Sequence, residues 1–283
     1  MSDSASPAPA ATAPSIAFIG GGNMASAIIG GLVAEGLAPE RIEVVEPAEA
    51  ARAALQARWG IAAQALPGPQ LRGADLVVWA VKPQVFREAA LQVRPLTAEA
   101  LHLSVAAGIR SSSIAQWLGT ERVVRAMPNT PALIGRGISA LFARTAVGAQ
   151  ERQRIEQLLA PTGETLWVER EQDLDAVTAL SGSGPAYVFY LLEAMTEAGV
   201  HLGLGPAQAH RLALATVAGA AELARRSDEP PQVLRQRVTS KGGTTHAAIE
   251  VLERAGVVGH FGHAIAAAGE RARELGDEFG TSH

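Results

Sequence analysis

Ile16-Ala17-Phe18-Ile19-Gly20-Gly21-Gly22-Asn23-Met24-Ala25 is the stretch that decides the fold. Four apolar residues predict a buried strand, the glycines a tight turn, and the segment running on through residue 34 a helix; a second apolar run over residues 42–45 completes a β-α-β unit. The glycines fit G-x-G-x-x-A where that pattern has physical meaning. Gly20 permits the turn, Gly22 lets the backbone approach a pyrophosphate, and Ala25 lets helix and strand pack closely. Asn23 and Met24 open the helix, whose N-terminus favours an anion. A dinucleotide such as NADH or NADPH is the ligand class this turn accommodates.

Working outward, further apolar runs at residues 76–81, 101–105 and 123–126 alternate with helix-like segments. That rhythm predicts an open, mostly parallel sheet covered on both faces. Ligands of such sheets bind at the carboxyl ends of the strands, and four groups of residues stand there. Glu46 ends the second run, where its carboxylate can accept hydrogen bonds from ribose hydroxyls and would repel a 2′-phosphate; Arg52, about a turn into the next helix, could offset that repulsion. Ala80, Val81, Lys82 and Pro83 close the third run, with Lys82 placed to face a phosphate or the nicotinamide amide, or simply solvent. Ala106, Ala107 and Gly108 follow the fourth, small enough to leave room for a flat ring. Asn129, between Pro128 and Pro131, is either a polar contact to a ligand or a turn residue bonding its own backbone.

Beyond Trp167-Val168 the strand-like runs stop, and alanine- and leucine-rich helical segments are expected near residues 185–200, 206–226, 245–254 and 260–275. Pro185 and Pro206 sit near helix starts, and Gly199, Gly203 and Gly256 near stops. Small residues such as Ala209, Ala213 and Gly219 predict close helix packing, and a half so thin in aromatics could complete its core with a second subunit. Two more glycine loops, residues 181–185 and 239–245, each precede a helix, so either could present backbone amides to a carboxylate or serve only as a cap. His260 and His263 are three apart on a helix but lack a third metal ligand nearby, and no metal site is expected. Tyr187 reads as a packing residue.

Composition narrows the function classes. A chain of 283 residues, 48% hydrophobic, can fill two cores, whereas a net charge of -4 argues against a broad basic surface for nucleic acid. Small molecules are the better partner class. No apolar run reaches the roughly 20 residues of a bilayer span. Residues 1–14 lack the pattern of a secretory signal and read as a disordered tail. The absence of cysteine removes disulfides and thiolate chemistry, and a cytoplasmic setting fits. Of 24 basic residues only Lys82 and Lys241 are lysines, and both fall in the loops named above.

Taken in order, these motifs resemble the pyrroline-5-carboxylate reductase family from residue 16 to about residue 275. The residues 238–245, Val-Thr-Ser-Lys-Gly-Gly-Thr-Thr, followed by Ala248-Ile249 and Leu252-Glu253, are similar to its signature, as are residues 80–84, 127–131 and 180–187. Lys241 stands where a proline is common. The resemblance implies an α/β N-terminal Rossmann-like domain over residues 15–169, followed by an all-α helical dimerisation and substrate domain over residues 170–283. It implies a homodimer, and often a ring of five dimers forming a decamer. It also implies that NADPH or NADH reduces the cyclic imine acid 1-pyrroline-5-carboxylate to L-proline. By that carry-over the amides of Gly242, Gly243 and Thr244 hold the substrate carboxylate, the Thr245 hydroxyl faces the ring nitrogen, and Asp228 lies near an acidic substrate contact. Glu46 departs from the family's frequent preference for NADPH. An imine needs orientation and a hydrogen bond more than a strong acid, which agrees with the missing nucleophile and metal. Competing readings are a related imine or 3-hydroxy acid dehydrogenase, which would carry a lysine on the first helix of the helical half, and a non-catalytic dinucleotide sensor, which need not keep residues 239–245.

Overall fold

The computed structural model describes residues 15–280, so the tail expected over residues 1–14 lies outside the described residues. Seven strands form one sheet in the order β2-β1-β3-β4-β5-β6-β7. They are β1 (Ile16–Ile19), β2 (Ile42–Val45), β3 (Leu76–Trp79), β4 (Leu101–Ser104), β5 (Val123–Met127), β6 (Gly137–Ala143) and β7 (Gly163–Trp167). The first five are parallel, β6 runs antiparallel to β5, and β7 is parallel to β6. The last two strands extend the sheet beyond the runs that hydrophobicity marks. Their sequences, Gly-Ile-Ser-Ala-Leu-Phe-Ala and Gly-Glu-Thr-Leu-Trp, carry polar residues inside the strand, and β7 is half exposed at the sheet edge.

Period-two alternation divides β1 between two cores. Ile16 and Phe18 face α1 (Asn23–Ala34), α2 (Glu49–Trp59) and α5 (Ala149–Leu159), while Ala17 and Ile19 face α3 (Pro83–Val93) and α4 (Ser111–Leu118). Burial on both faces explains why the parallel strands read as continuous apolar runs. Ile19 lies opposite both Val45 and Trp79, so the carboxyl ends of β1, β2 and β3 are level. The chain leaves β1 for β2 on one side and returns to β3 on the other, which makes this edge a topological switch point.

After β7 come α6 (Asp173–Val177), a π turn over Thr178–Gly182, α7 (Gly184–His201), α8 (Pro206–Arg225), α9 (Pro231–Arg237), α10 (Thr244–Arg254) and α11 (Val257–Gly280). Two compact units result: one runs through Gly182 and takes up Glu270 onward, and the other is Ser183–Gly269. Gly199 stands near the end of α7, two residues before its last, and has a second role. A Cβ there would sit 3.0 Å from that of Ala209, so this glycine serves close packing of α7 on α8. The buried Ala209 and Ala213 line the same contact. Helix α9 escapes the periodicity because its seven residues include four polar ones. Helix α11 is longer than its apolar pattern, and ion pairs of Arg271 with Glu274 and Glu278 and of Arg273 with Glu270 and Asp277 support its last turns.

Candidate active site

At the switch point a cavity of about 510 Å³ opens, lined by Gly20, Gly22, Glu46, Ala80, Val81 and Lys82 and closed laterally by Leu66, Val85 and Glu88. The turn that forms its floor requires glycine. Gly20 has φ +97°, and a Cβ on it would lie 2.5 Å from the Ala80 carbonyl oxygen. Around Gly22, by contrast, the space beside Cα is empty to 4 Å, so backbone is open to a ligand. Gly22 caps α1 in extended conformation with no side chain bonded to the first turn. The amides of Asn23 and Met24 therefore belong to a helix start without intrahelical carbonyls. A cradle of this kind, open and lined by N–H groups, fits a pyrophosphate.

Glu46 is more engaged than a strand-end carboxylate in solvent. One carboxylate oxygen accepts the Gly21 amide at 2.7 Å and the other accepts the Ala48 amide at 2.8 Å. Arg52 does not pair with that carboxylate; its NH1 donates to the carbonyls of Glu46 (2.9 Å) and Pro47 (2.6 Å). Reading the sequence missed Gly21, whose lack of a side chain admits the Glu46 stem, and the segment 64–67. Gln64 bridges to Val45 and brings Ala65, Leu66 and Pro67 to the cavity wall. Its only signal is its distance along the chain from β2.

Lys82 immediately precedes α3, whose first residue is Pro83, and is exposed at the cavity rim. Ala106 is buried, Ala107 exposed and Gly108 in left-handed conformation, the small residues forming a turn at the end of β4. Behind that turn lies a polar clamp. Glu171 accepts the Ser111 amide (2.5 Å), the Ser111 hydroxyl (2.7 Å) and Arg125 NH1 (2.7 Å), while Arg110 reaches Asp175 (3.5 Å) and Asp277 (3.2 Å). Burial pushes the Glu171 carboxyl up, but the Arg125 charge and the Ser111 hydrogen bonds outweigh it and hold the group below the usual range. Asn129 takes a third course beyond the two considered: its Oδ1 accepts the Ile138 amide at 3.0 Å and its Nδ2 donates to the Ser181 hydroxyl at 3.3 Å, tying the loop after β5 to β6 and the π turn.

The two later glycine loops differ in kind. Ser183, before α7, is in right-handed helical conformation and follows the π turn, so the chain enters α7 without an extended cap. Gly243, before α10, is extended at φ -84°, ψ 175°, following Gly242 at φ +75°. Only the second loop presents a clean helix start. Within it the Gly243 amide donates to the Ser240 carbonyl at 3.0 Å. Of the three amides singled out there, those of Gly242 and Thr244 are the ones outside that turn bond. Thr244 and Thr245 are exposed in the first turn of α10, and Asp228 is exposed between α8 and α9. Tyr187 and His260 line an apolar cavity of about 340 Å³ with Tyr190, Phe261 and Ile265.

Comparison with known proteins accounts for this combination. Residues 171–275 match the model described as pyrroline-5-carboxylate reductase dimerisation, and residues 15–108 match one described as NADP oxidoreductase coenzyme F420-dependent. A pyrroline-5-carboxylate reductase from Pseudomonas aeruginosa is 44% identical over 269 residues, covering 94% of this chain and 98% of the relative. One from Pisum sativum is 38% identical over 92% and 95%. Among solved structures, the enzyme from Coxiella burnetii superposes with a TM-score of 0.87 at 39% identity, over 93% of this chain and 98% of that one. The Plasmodium falciparum pyrroline carboxylate reductase, solved with NADP bound, gives 0.83 at 27% identity over the same two shares. With near-complete coverage by relatives this similar, the chain belongs to the pyrroline-5-carboxylate reductase family.

Proposed function

We infer that this chain reduces the carbon–nitrogen double bond of 1-pyrroline-5-carboxylate to give L-proline, the last step of proline biosynthesis, with NADPH or NADH as reductant. The observation that carries this reading is the 44% identity to the Pseudomonas aeruginosa enzyme along 94% of the chain. The bound dinucleotide supplies the hydride. Everything else falls to the protein.

Residues 15–169 hold the cofactor. Gly20 and Gly22 with the amides of Asn23 and Met24 receive the pyrophosphate, Glu46 meets the ribose, and Ala80 to Pro83, Ala106 to Gly108 and Asn129 line the nicotinamide side. Residues 170–283 form the dimer and the substrate loop. There the amides of Gly242, Gly243 and Thr244 hold the carboxylate at the positive end of α10, with Gly243 acting chiefly by shaping the turn. Asp228 makes a polar contact to the substrate. The Thr245 hydroxyl, both donor and acceptor, orients the ring nitrogen; it holds the iminium proton in place rather than delivering one, since an alcohol is a poor acid near neutrality. Reduction of an iminium carbon needs no nucleophile and no metal.

The working unit is a homodimer, assembled further into a decamer, in the cytoplasm. The partner is the small imine acid, and neither nucleic acid nor a membrane takes part; among the described residues no helix is long and apolar enough to cross a bilayer. The deciding assay mixes purified protein with NADH or NADPH and follows nicotinamide absorbance. The cofactor should be consumed only after the pyrroline acid is added, with proline as product; no consumption with either cofactor would overturn this function.

A further inference from the structure

We propose that Glu46 is a fixed negative charge that sets cofactor choice, so that this chain binds NADH in preference to NADPH; the proposal rests on the dinucleotide reading above. The carboxylate lies in the wall of the cavity at the carboxyl end of β2, where the glycine turn and the ribose-side segment meet. A carboxylate there accepts hydrogen bonds from a ribose diol and repels a 2′-phosphate.

The structure adds that this charge cannot move aside. Each oxygen is bonded to a backbone amide from a different segment, Gly21 at 2.7 Å and Ala48 at 2.8 Å. The stem is packed as well. A Cβ at Gly21 would lie 3.2 and 3.3 Å from Cβ and Cγ of Glu46, so the side chain lies flat on that glycine. Swinging Glu46 out to admit a 2′-phosphate would leave the Gly21 amide, on a buried residue, without its acceptor, a loss that a surface glutamate would not face. Two amide bonds leave each oxygen a further lone pair, so ribose hydroxyls can still be received.

No described cation is paired with this carboxylate. Among the described residues no arginine or lysine forms an ion pair with Glu46, and the Arg52 NH1 group is committed to the carbonyls of Glu46 and Pro47. The cavity wall also carries Glu88, against the single exposed Lys82.

The test is direct titration of the purified full-length protein with NADH and with NADPH, without substrate, read by calorimetry. Wild type is expected to bind NADH at least about tenfold more tightly. Glu46→Gln keeps size and removes charge, and should shift the ratio toward NADPH by about tenfold, chiefly through tighter NADPH binding. Equal or tighter NADPH binding by the wild type overturns the proposal, as does an unchanged ratio in Glu46→Gln. Should Glu46→Gln not fold, the wild-type ratio decides alone. Turnover of the pyrroline acid, measured in parallel, separates the two claims: reduction with NADPH favoured sinks the cofactor assignment and leaves the activity standing, whereas the expected ratio without imine reduction does the reverse.

Discussion

The sheet-bearing unit and the helical unit treat their apolar residues in opposite ways. Strands β1, β3 and β4 are buried along their whole length, and Trp79, Phe18 and Phe86 are sealed from solvent. Helix α7, with eighteen residues, has none buried, and Phe189 and Tyr190 are 60% and 73% exposed. In the unit Ser183–Gly269 only Ala209 and Ala213 count as buried apolar residues, while Leu212, Leu214, Leu223, Val251, Leu252 and Phe261 face outward. A monomer does not keep so large an apolar surface in water. One unit is a finished core and the other an open one that a further copy can complete, in keeping with the match to a dimerisation model.

The sharpest way to break this comparison is to place a charge on the unfinished face. Tyr190→Asp, beside the apolar cavity with Phe261, should leave a monomer in sedimentation, because burying an unpaired carboxylate costs several kcal/mol. Imine reduction should fall by about a hundredfold or more, while dinucleotide affinity stays within about threefold, since the sheet unit is self-contained. A variant that remained dimeric would show that something other than a second copy covers this face.

Within the finished unit, the next largest effect lies in the clamp around Glu171. Arg125→Met leaves that carboxylate beside Ser111 without its cation, and breaking a buried pair costs about 3 kcal/mol or somewhat more. Denaturant unfolding should register the loss, and high salt should not reproduce it in the wild type. The sign with pH follows from the direction of the shift. Glu171 is held below its ordinary value, so its contribution is complete above the ordinary carboxylate range near 4.5 and disappears as pH falls through the lower folded value. No loss of stability in Arg125→Met would mean that the clamp is decorative.

His102 gives a second, smaller acid sensitivity to the same core. It is 1% exposed, its Nδ1 accepts the Trp79 indole N–H at 3.1 Å, and its Nε2 faces the Thr97 carbonyl at 3.3 Å. The ring is thus neutral with its proton on Nε2, and burial above all lowers its pKa from the ordinary 6.5 to about 4. The unfolded chain binds a proton between those values and the folded one does not. Stability must therefore drop as pH falls from about 6.5 to about 4, by at most about 3 kcal/mol. His102→Gln keeps an acceptor for Trp79 and should flatten that slope in urea titrations; an equally steep slope would remove His102 as its source.

How much could be read in advance follows the same division. Strands β1 to β5 were legible because burial on both faces writes unbroken apolar runs, and the Gly20 to Ala25 turn because close approach leaves few residues that fit. Strands β6 and β7 were not, since an antiparallel strand and an edge mix polar residues into the run. Gly199 does stand near the end of α7, but its contact with Ala209 was not legible, because a glycine that ends a helix and one that lets two helices touch look alike in sequence. The two loops at residues 181–185 and 239–245 likewise look alike as glycine-rich helix starts. Only backbone conformation separates the π-turn entry at Ser183 from the extended cap at Gly243. The Asn129 bonds to Ile138 and Ser181 span 9 and 52 residues, distances at which local pattern carries no information.

That last contrast between loops carries the smallest predicted effect. Thr245 stands in the first turn of α10, a helix of eleven residues opened by an extended glycine, and its backbone is fixed by the helix while its hydroxyl is exposed. A hydroxyl that accepts from an iminium N–H and only orients it is worth about 1.5 kcal/mol, the lower end for a bond to a charged group and near tenfold in rate. Thr245→Ala should accordingly lower kcat about tenfold, leave the dissociation constant of the dinucleotide unchanged within about twofold, and keep the helix intact. Thr245→Ser restores the hydroxyl without the methyl group and should recover most of the rate. If the serine variant is as slow as the alanine variant, the methyl group's packing and not the hydroxyl matters; if neither loses rate, Thr245 has no part in orienting the ring.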